Sequence, residues 1–256
     1  MLELKQVSRQ FGGLQALNQV NMVVPTNKVV GLIGPNGAGK TTLINIISGL
    51  DHPTSGTIQF DEHAIQNAPP HYITRLGIAR TYQNIRLFGD MTVLENLLIG
   101  QHGRGKSSVL DALVFAPRYR HEAQEQRTNA LSLLRRFNLE AAADVRAGTL
   151  PYGDQRRLEM ARALATNPHL ILLDEPTAGM NPIETHALGE QIIQLRDDGL
   201  TVLVIEHDMS LIHQVCDEVY VLNFGQVIAH GTPPEIKDNP LVIEAYLGKE
   251  EADGAA

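Results

Sequence analysis

Apolar and polar side chains alternate through Leu2-Glu3-Leu4-Lys5-Gln6-Val7, the period-two signature of a strand with one face buried. A second strand is expected over residues 21–24. A short one is expected over 57–60, after the loop Asp51-His52-Pro53-Thr54-Ser55-Gly56. Three other runs do not alternate. Val29-Val30-Gly31-Leu32-Ile33, Leu170-Ile171-Leu172-Leu173 and Thr201-Val202-Leu203-Val204-Ile205 are apolar almost throughout, as strands covered on both faces in a parallel sheet are. Gly77-Ile78-Ala79-Arg80-Thr81 predicts a further strand. Val219–Leu222 and Val227–Ala229, flanking Asn223-Phe224-Gly225, predict a hairpin. Helical spacing appears in Thr42–Ser48, where Leu43, Ile46 and Ile47 share a face, in Leu158, Ala161, Leu164 and Ala165, and over Pro182–Arg196, which stops near Gly199. Pro69-Pro70 introduces a brief helix, and Pro233-Pro234 and Pro240 start two short terminal ones. Strand and helix alternate as in an α/β fold.

One stretch breaks the rhythm. From Thr92 to about Arg146 the β-branched runs thin out and helix formers dominate. Thr92 with Glu95 makes a capping box for a helix over Val93–Ile99, and Leu131, Leu134 and Phe137 form one apolar stripe. This predicts a helical subdomain, residues 91–156, set into an α/β core made of residues 1–90 and 157–256. Arg104, Lys106, Arg118, Arg120 and Arg127 make its first part basic, which a solvated face accounts for.

Composition narrows the function classes. The 256 residues are 43% hydrophobic and 20% charged, enough for a sizeable core. A net charge of −8 argues against nucleic acid as the main partner. Cys216 is the single cysteine, so no intrachain disulfide framework exists and a reducing cytoplasm fits. The first residues enter a strand pattern directly, without a signal-peptide profile. No apolar run approaches the ~20 residues that span a bilayer, so a membrane role is expected to act through a partner. The last residues, 250–256, are acidic and expected to fray.

Between the first apolar strand and the first helix lies Gly34-Pro35-Asn36-Gly37-Ala38-Gly39-Lys40-Thr41. This is the G-x-x-x-x-G-K-[ST] phosphate-binding loop in its required strand–loop–helix context. Its glycines let backbone N–H groups turn toward phosphate oxygens at the positive end of the helix. Lys40 can reach the β- and γ-phosphates of ATP, and the Thr41 hydroxyl, next to Thr42, can ligate Mg²⁺. Asp174 ends another buried strand and suits Mg²⁺, directly or through water. Glu175 follows it, and strand alternation points it elsewhere, where it suits a general base for an attacking water. Ile205-Glu206-His207-Asp208 ends the next strand, which puts His207 near the same sheet edge and in reach of a γ-phosphate. Gln83, read as ending the strand at residues 77–81, could touch Mg²⁺ or water. Phe11 could stack on adenine or fill core, and its residue type leaves both open. No metal-ligand spacing links the other histidines and Cys216.

Gly34–Thr41, Gln83, Leu150-Pro151-Tyr152-Gly153-Asp154-Gln155, Asp174-Glu175-Pro176 and His207 come in the order found in ABC-type ATPases, and the resemblance covers essentially the whole chain. Within that family the chain resembles the ATP-binding subunits of branched-chain amino-acid importers. The features are Thr81–Phe88, Tyr152–Glu159, Ala178-Gly179-Met180-Asn181-Pro182 and the tail Val242-Ile243-Glu244-Ala245-Tyr246-Leu247-Gly248. The resemblance implies a P-loop NTPase (RecA-like) core with an N-terminal antiparallel β subdomain and an inserted α-helical subdomain. It makes Phe11 the adenine-stacking aromatic, Gln83 the Q-loop glutamine, Glu175 the catalytic carboxylate, His207 the switch histidine and Leu150–Asp154 the signature that completes a partner's ATP site. It implies two membrane-spanning permease subunits, which meet the region after Gln83, a second ATPase subunit, and indirectly a solute-binding protein, at the cytoplasmic face of the plasma membrane.

Pro151, Asp154 and Asn181 depart from the family pattern. Pro151 stands where serine is usual and Asp154 where glutamine is usual, so a hydroxyl toward the partner's γ-phosphate is lost and a negative charge gained. Asn181 replaces the usual aspartate of the next loop across the dimer. These departures imply a non-identical ATPase partner with an intact signature. Other cargoes, such as urea, an amide or an exported lipid, are the nearest alternatives. A soluble ABC protein acting on DNA or ribosomes fits less well, because the chain has no room for a coiled-coil insertion or second cassette. A small-molecule kinase would not need Leu150–Gln155.

Overall fold

The alternating N-terminal stretch forms β1 (Leu2–Phe11) and pairs antiparallel with β2 (Leu14–Val24) across the Gly12–Gly13 turn. Both strands outrun the visible alternation. Their register slips between Leu4 and Phe11, and Gln6 and Gln19 take positive φ there, so the apolar period is broken at bulges rather than at strand ends. The structure is a computed structural model that describes residues 1–102 and 117–253. Next come β3 (Val29–Ile33), α1 (Lys40–Ile47), β4 (Ser55–Phe60), β5 (His63–Ala64), α2 (Pro70–Leu76) and β6 (Ile78–Arg80). The helical stretch supplies α3 (Val93–His102), α4 (Pro117–Arg136) and α5 (Tyr152–Ala165). The chain then runs through β7 (Leu170–Asp174), α6 (Pro182–Asp197), β8 (Thr201–Ile205), α7 (Met209–Val215), β9 (Glu218–Asn223), β10 (Gln226–Gly231), α8 (Pro233–Lys237) and α9 (Pro240–Asp253). The last helix is 14 residues long rather than short, and it includes Glu250, where fraying was expected.

The chain divides into two compact units, Met1–Arg80 with His169–Ala256, and Thr81–Pro168. This differs from the expected edges at residues 90–91 and 156–157. Helix α5 is continuous through residue 157, and residues 82–88 are hydrogen-bonded to α3 and α5, so both segments go with the helices.

The first unit holds two sheets. One is antiparallel in the order β2-β1-β4-β5, and the other runs β10-β9-β3-β8-β7-β6, parallel except for β10. Every residue of β3, β7 and β8 is buried. Helix α1 packs its four apolar residues into the core of this unit. Leu43, Ile44, Ile46 and Ile47 belong to one core with Leu2, Leu4, Ile58 and Phe60 of the antiparallel sheet and Val30, Leu32, Leu172 and Leu203 of the other. Each such side chain is worth about 1.5–3 kcal/mol when buried, so α1 is held from two sides. Strand order sets the site. β3, β8 and β7 are neighbours, and Leu32, Ile205 and Asp174 lie in register across them. The loops after these strands therefore leave the same sheet edge, where ligands of parallel sheets bind.

In the second unit the Thr92–Glu95 capping box forms as expected: Thr92 N–H donates to Glu95 Oε2 at 2.8 Å, and Glu95 N–H donates to Thr92 Oγ1 at 3.1 Å. Leu134 and Phe137 are buried and Leu131 half-buried. Arg120 and Arg127 are exposed, as a solvated face requires; Arg104, Lys106 and the Arg118 side chain lie outside the described residues. No helix among the described residues is long and apolar enough to cross a membrane.

Candidate ATP site

The phosphate-binding loop is built on glycine. At Gly34 φ is 149°, and a Cβ would lie 2.0 Å from the Leu222 carbonyl oxygen of β9, so no other residue fits there. Gly39, with φ 106°, is the N-cap of α1, and its Cβ would meet the Ala16 carbonyl at 2.7 Å. Helix α1 has no side-chain cap and no acidic residue in its first turn, so neither a cap nor a first-turn acid competes with an anion at its positive end. Lys40 is buried, and its Nζ donates to the carbonyls of Gly34 at 2.6 Å and Pro35 at 3.0 Å. Its ammonium thus curls along the loop where phosphates would lie. Gly37 and Thr41 are exposed, Pro35 and Ala38 buried, and Thr42 half-buried. The β9–β10 turn braces this loop: Gly225 N–H donates to the Ala38 carbonyl at 2.9 Å, and the Gly225 carbonyl accepts from Asn18 N–H at 2.8 Å. The sequence pattern predicted the hairpin but not this contact.

Asp174 is buried at the end of β7, and its Oδ2 lies 2.8 Å from Arg80 Nη2. Arg80 also donates through Nη1 to Asn45 Oδ1 at 2.8 Å and Ser48 Oγ at 3.0 Å. It thereby joins α1 to the Asp174 carboxylate. Sequence reading missed Arg80 because a lone arginine at a strand end has no motif.

Glu175 is not part of the strand. Its φ is 46°, a left-handed conformation that costs a non-glycine residue about 1–3 kcal/mol. The expected strand alternation therefore does not govern it; a tight turn does, with its N–H donating to the Ile205 carbonyl at 2.9 Å. Glu206 holds that turn. It is fully buried, and its Oε1 accepts from Thr177 N–H at 2.9 Å and from the Thr177 hydroxyl. Its Oε2 accepts from the N–H groups of His207 at 3.0 Å and Asp208 at 3.2 Å. One carboxylate thus fixes both the segment after Glu175 and the segment carrying His207, whose side chain is 64% exposed. Burial of four donors on one acid could not be read from Ile-Glu-His-Asp alone.

Phe11 is not core. It ends β1 at 45% exposure, with the Arg9 guanidinium 4.4 Å from its ring centre, and the stacking alternative remains. Gln83 does not end a strand: β6 stops at Arg80, and Gln83 is exposed in the bend beyond it, in the second unit. In that unit too, Leu150 is buried and Pro151 is the N-cap of α5, without a side-chain cap bond. Tyr152 is exposed, Gly153 half-buried, and Asp154 pairs with Arg157. Asn181 caps α6 instead. It accepts from the N–H groups of Ile183 and Glu184, both at 3.0 Å, while Glu184 accepts from Asn181 N–H at 2.9 Å. Cys216 packs against Gly31, and burial, aided by Asp217, pushes its thiol up to about 12, which excludes a thiolate nucleophile at neutral pH.

Among the described residues no cluster of three or more His, Cys, Asp or Glu could hold a metal unaided. Magnesium takes one or two protein oxygens and completes its shell with phosphate and water. The Thr41 hydroxyl and the Asp174 carboxylate are oxygens of that kind.

A family model described as ABC transporter matches residues 17–178. The chain belongs to the ABC transporter family. A second model, described as branched-chain amino acid ATP-binding cassette transporter, matches residues 226–252. The chain is similar to the high-affinity branched-chain amino acid transport ATP-binding protein BraF of Pseudomonas aeruginosa, with 47% identity over 97% of this chain and 98% of the relative. It is 45% identical to LivG of Escherichia coli over the same shares. Among solved structures, a nucleotide-free ATP-binding cassette of an ABC transporter is 36% identical, with a TM-score of 0.84 over 96% of this chain and 98% of that one. The ADP conformation of an ABC transporter cassette is 34% identical, with a TM-score of 0.84 over 97% and 98%. The fold of this ABC ATPase is thus that of nucleotide-binding cassettes over 96–97% of the chain.

Proposed function

We propose that the chain binds and hydrolyses ATP to drive an importer of branched-chain amino acids, acting at the cytoplasmic face of the membrane. The carrying observation is the register of Leu32, Asp174 and Ile205, which sends the Gly34–Thr41 loop, Glu175 and His207 off one edge of the parallel sheet. The cargo rests on the likeness to BraF and LivG. Phosphoryl transfer needs little covalent help from protein; it needs positioning and charge. The loop amides and Lys40 hold the β- and γ-phosphates, with Phe11 against the adenine. Glu175 orients and takes a proton from the attacking water. The new P–O bond forms as the bond to ADP breaks, and ADP and phosphate leave. His207 donates to the γ-phosphate, and Gln83, by its likeness to the family's Q-loop, would offer an amide oxygen to bound magnesium or to the water. Bound magnesium would neutralise charge between the phosphates, held by Thr41 and Asp174.

The partners are two permease subunits, a non-identical ATPase subunit and, indirectly, a solute-binding protein; nucleic acid has no place in this scheme. Each ATP site is made from one chain's phosphate loop and the other's signature. This chain's loop is complete, whereas its own signature, Leu150–Asp154, offers proline for serine and an acid for glutamine. Uptake of labelled leucine, isoleucine and valine in a strain lacking this chain tests the cargo. Uptake that persists there while urea, amide or lipid transport fails would replace it.

A further inference from the structure

Arg156 and Glu159 are buried charges that the reaction above does not use. They stand one turn apart on α5, with side chains 4% and 3% exposed. Arg156 Nη1 donates to the Tyr82 carbonyl at 2.6 Å; Nη2 donates to the Gln83 carbonyl and, at 3.0 Å, to the Tyr152 hydroxyl. Glu159 Oε1 accepts from Arg86 N–H at 3.2 Å, while its Oε2 lies 3.3 Å from Arg156 Nη1. From α3, the fully buried Asn96 accepts from Phe88 N–H at 3.0 Å and donates to the Phe88 carbonyl at 3.1 Å. The backbone of residues 82–88 is thus tied at Tyr82, Gln83, Arg86 and Phe88. The side chains of Gln83, Asn84, Arg86 and Phe88 are nevertheless exposed. The segment is fixed in its main chain and open at these four side chains, while Tyr82, Ile85 and Leu87 are half-buried.

A buried ion pair is a costly way to hold two elements together, and apolar residues of the same volume often do it better. Apolar residues could not hold peptide carbonyls. A planar guanidinium can take two carbonyls and a carboxylate at once. The rest of its surroundings fit: burial pushes Glu159 above the usual carboxylate range, opposed by Arg86 N–H, Arg156 and Arg162.

We propose that Arg156 and Glu159 are positioning residues that lock the main chain of Tyr82–Phe88 onto the helix beginning at Pro151–Tyr152. The turn that reads a partner's nucleotide and the segment that carries Gln83 then move as one body. Tyr152, in the signature itself, is joined to that body through Arg156. The inference deepens the proposed function and rests on it for the roles of Gln83 and the signature.

The test uses the assembled transporter in proteoliposomes, with Arg156→Lys and Glu159→Gln in this chain. Amide hydrogen exchange over residues 82–88, and kcat and KM for ATP, are measured together. Lysine keeps the charge beside Glu159 but has no fork. A purely structural ion pair would be rescued by it, and the clamp would not. The expected result for Arg156→Lys is exchange at Gln83–Phe88 faster by about tenfold or more, kcat lower by about tenfold and KM within about twofold of wild type. Exchange at residues 34–48 stays as in wild type. Glu159→Gln, close in shape, is expected to speed exchange chiefly at Arg86, and it decides the matter if Arg156→Lys does not assemble. Unchanged protection of residues 82–88 in both variants, or wild-type kcat in Arg156→Lys, overturns the clamp. A wild-type complex that hydrolyses ATP without moving branched-chain amino acids would overturn the cargo reading and leave the exchange result standing.

Discussion

Two helices of this chain begin where the family expects phosphate, and they begin differently. Helix α1 starts from a left-handed glycine, with a lysine as its first residue and no acid in its first turn. Helix α5 starts from Pro151, also without a side-chain cap, but Asp154 sits in its first turn and pairs with Arg157. An acid at a helix N-terminus stabilises the helix by using the same positive end that would otherwise attract an external anion. The first helix therefore leaves its start to the ligand. The second answers its own start with its own charges. In the proposed function the difference follows from whose nucleotide each would meet: the loop before α1 would grip this chain's ATP, and the turn before α5 would serve a partner's. In the proposed pairing of unlike subunits the two ATP sites are then chemically unequal.

The sharpest way to break this contrast is to remove the cation at α1. Lys40→Ala takes away the ammonium that lies along the loop carbonyls. A preorganised donor of this kind is worth about 10²–10³ in turnover. Loss of that size in the assembled complex, with weaker nucleotide binding by titration calorimetry, is the expected result; unchanged affinity and turnover would end the reading of Gly34–Thr41 as the grip on ATP. The inequality itself is tested by Glu175→Gln here against the same change in the partner ATPase. In the proposed pairing the carboxylate on this chain would serve the site closed by the partner's intact signature, so its loss should cost more, by about tenfold if one charge-assisted hydrogen bond of about 1.5 kcal/mol separates the sites. Equal losses would refute the asymmetry. A smaller effect runs the other way. Pro151→Ser with Asp154→Gln restores a hydroxyl and removes a charge at the start of α5, and turnover at the site it completes should rise by a few fold, up to about tenfold. No rise would mean that Arg157 already cancels Asp154.

Most of the α1 site was legible in the sequence because it is local. A strand, a glycine loop and a helix are contiguous, and the buried strands before Glu175 and His207 announce themselves by being apolar throughout. What stayed hidden is what depends on contacts far apart in the chain. Arg80 became part of the site through Asn45 and Asp174, and Glu206 through Thr177. Gly225 supports the loop from a hairpin nearly two hundred residues on. Gln83 was misread as a strand end because its backbone partner, Arg156, lies on a distant helix. The extent of β1 was underestimated for a different reason: a bulge breaks the period without ending the pairing.

A third helix start sharpens the contrast. Helix α6 begins at Asn181 with a complete capping box, in which its side chain accepts from Ile183 and Glu184. Here the chain satisfies its own donors, as a helix start without a ligand should. Asn181→Ala should therefore lower stability by about 1 kcal/mol, a drop of about 2–4 °C in Tm for a chain of this size, and leave KM for ATP unchanged. Asn181→Asp separates capping from any role across the dimer. Aspartate caps as well as asparagine and adds a favourable charge of a few tenths of a kcal/mol at a helix N-terminus, so Tm should hold or rise slightly in the isolated chain. If that same substitution also raised turnover in the assembled complex, the gain would have to come from the partner, because the cap is equally satisfied by either residue. If turnover stayed flat, Asn181 would be a cap and nothing more, and the inequality between the two ATP sites would rest on the start of α5 alone.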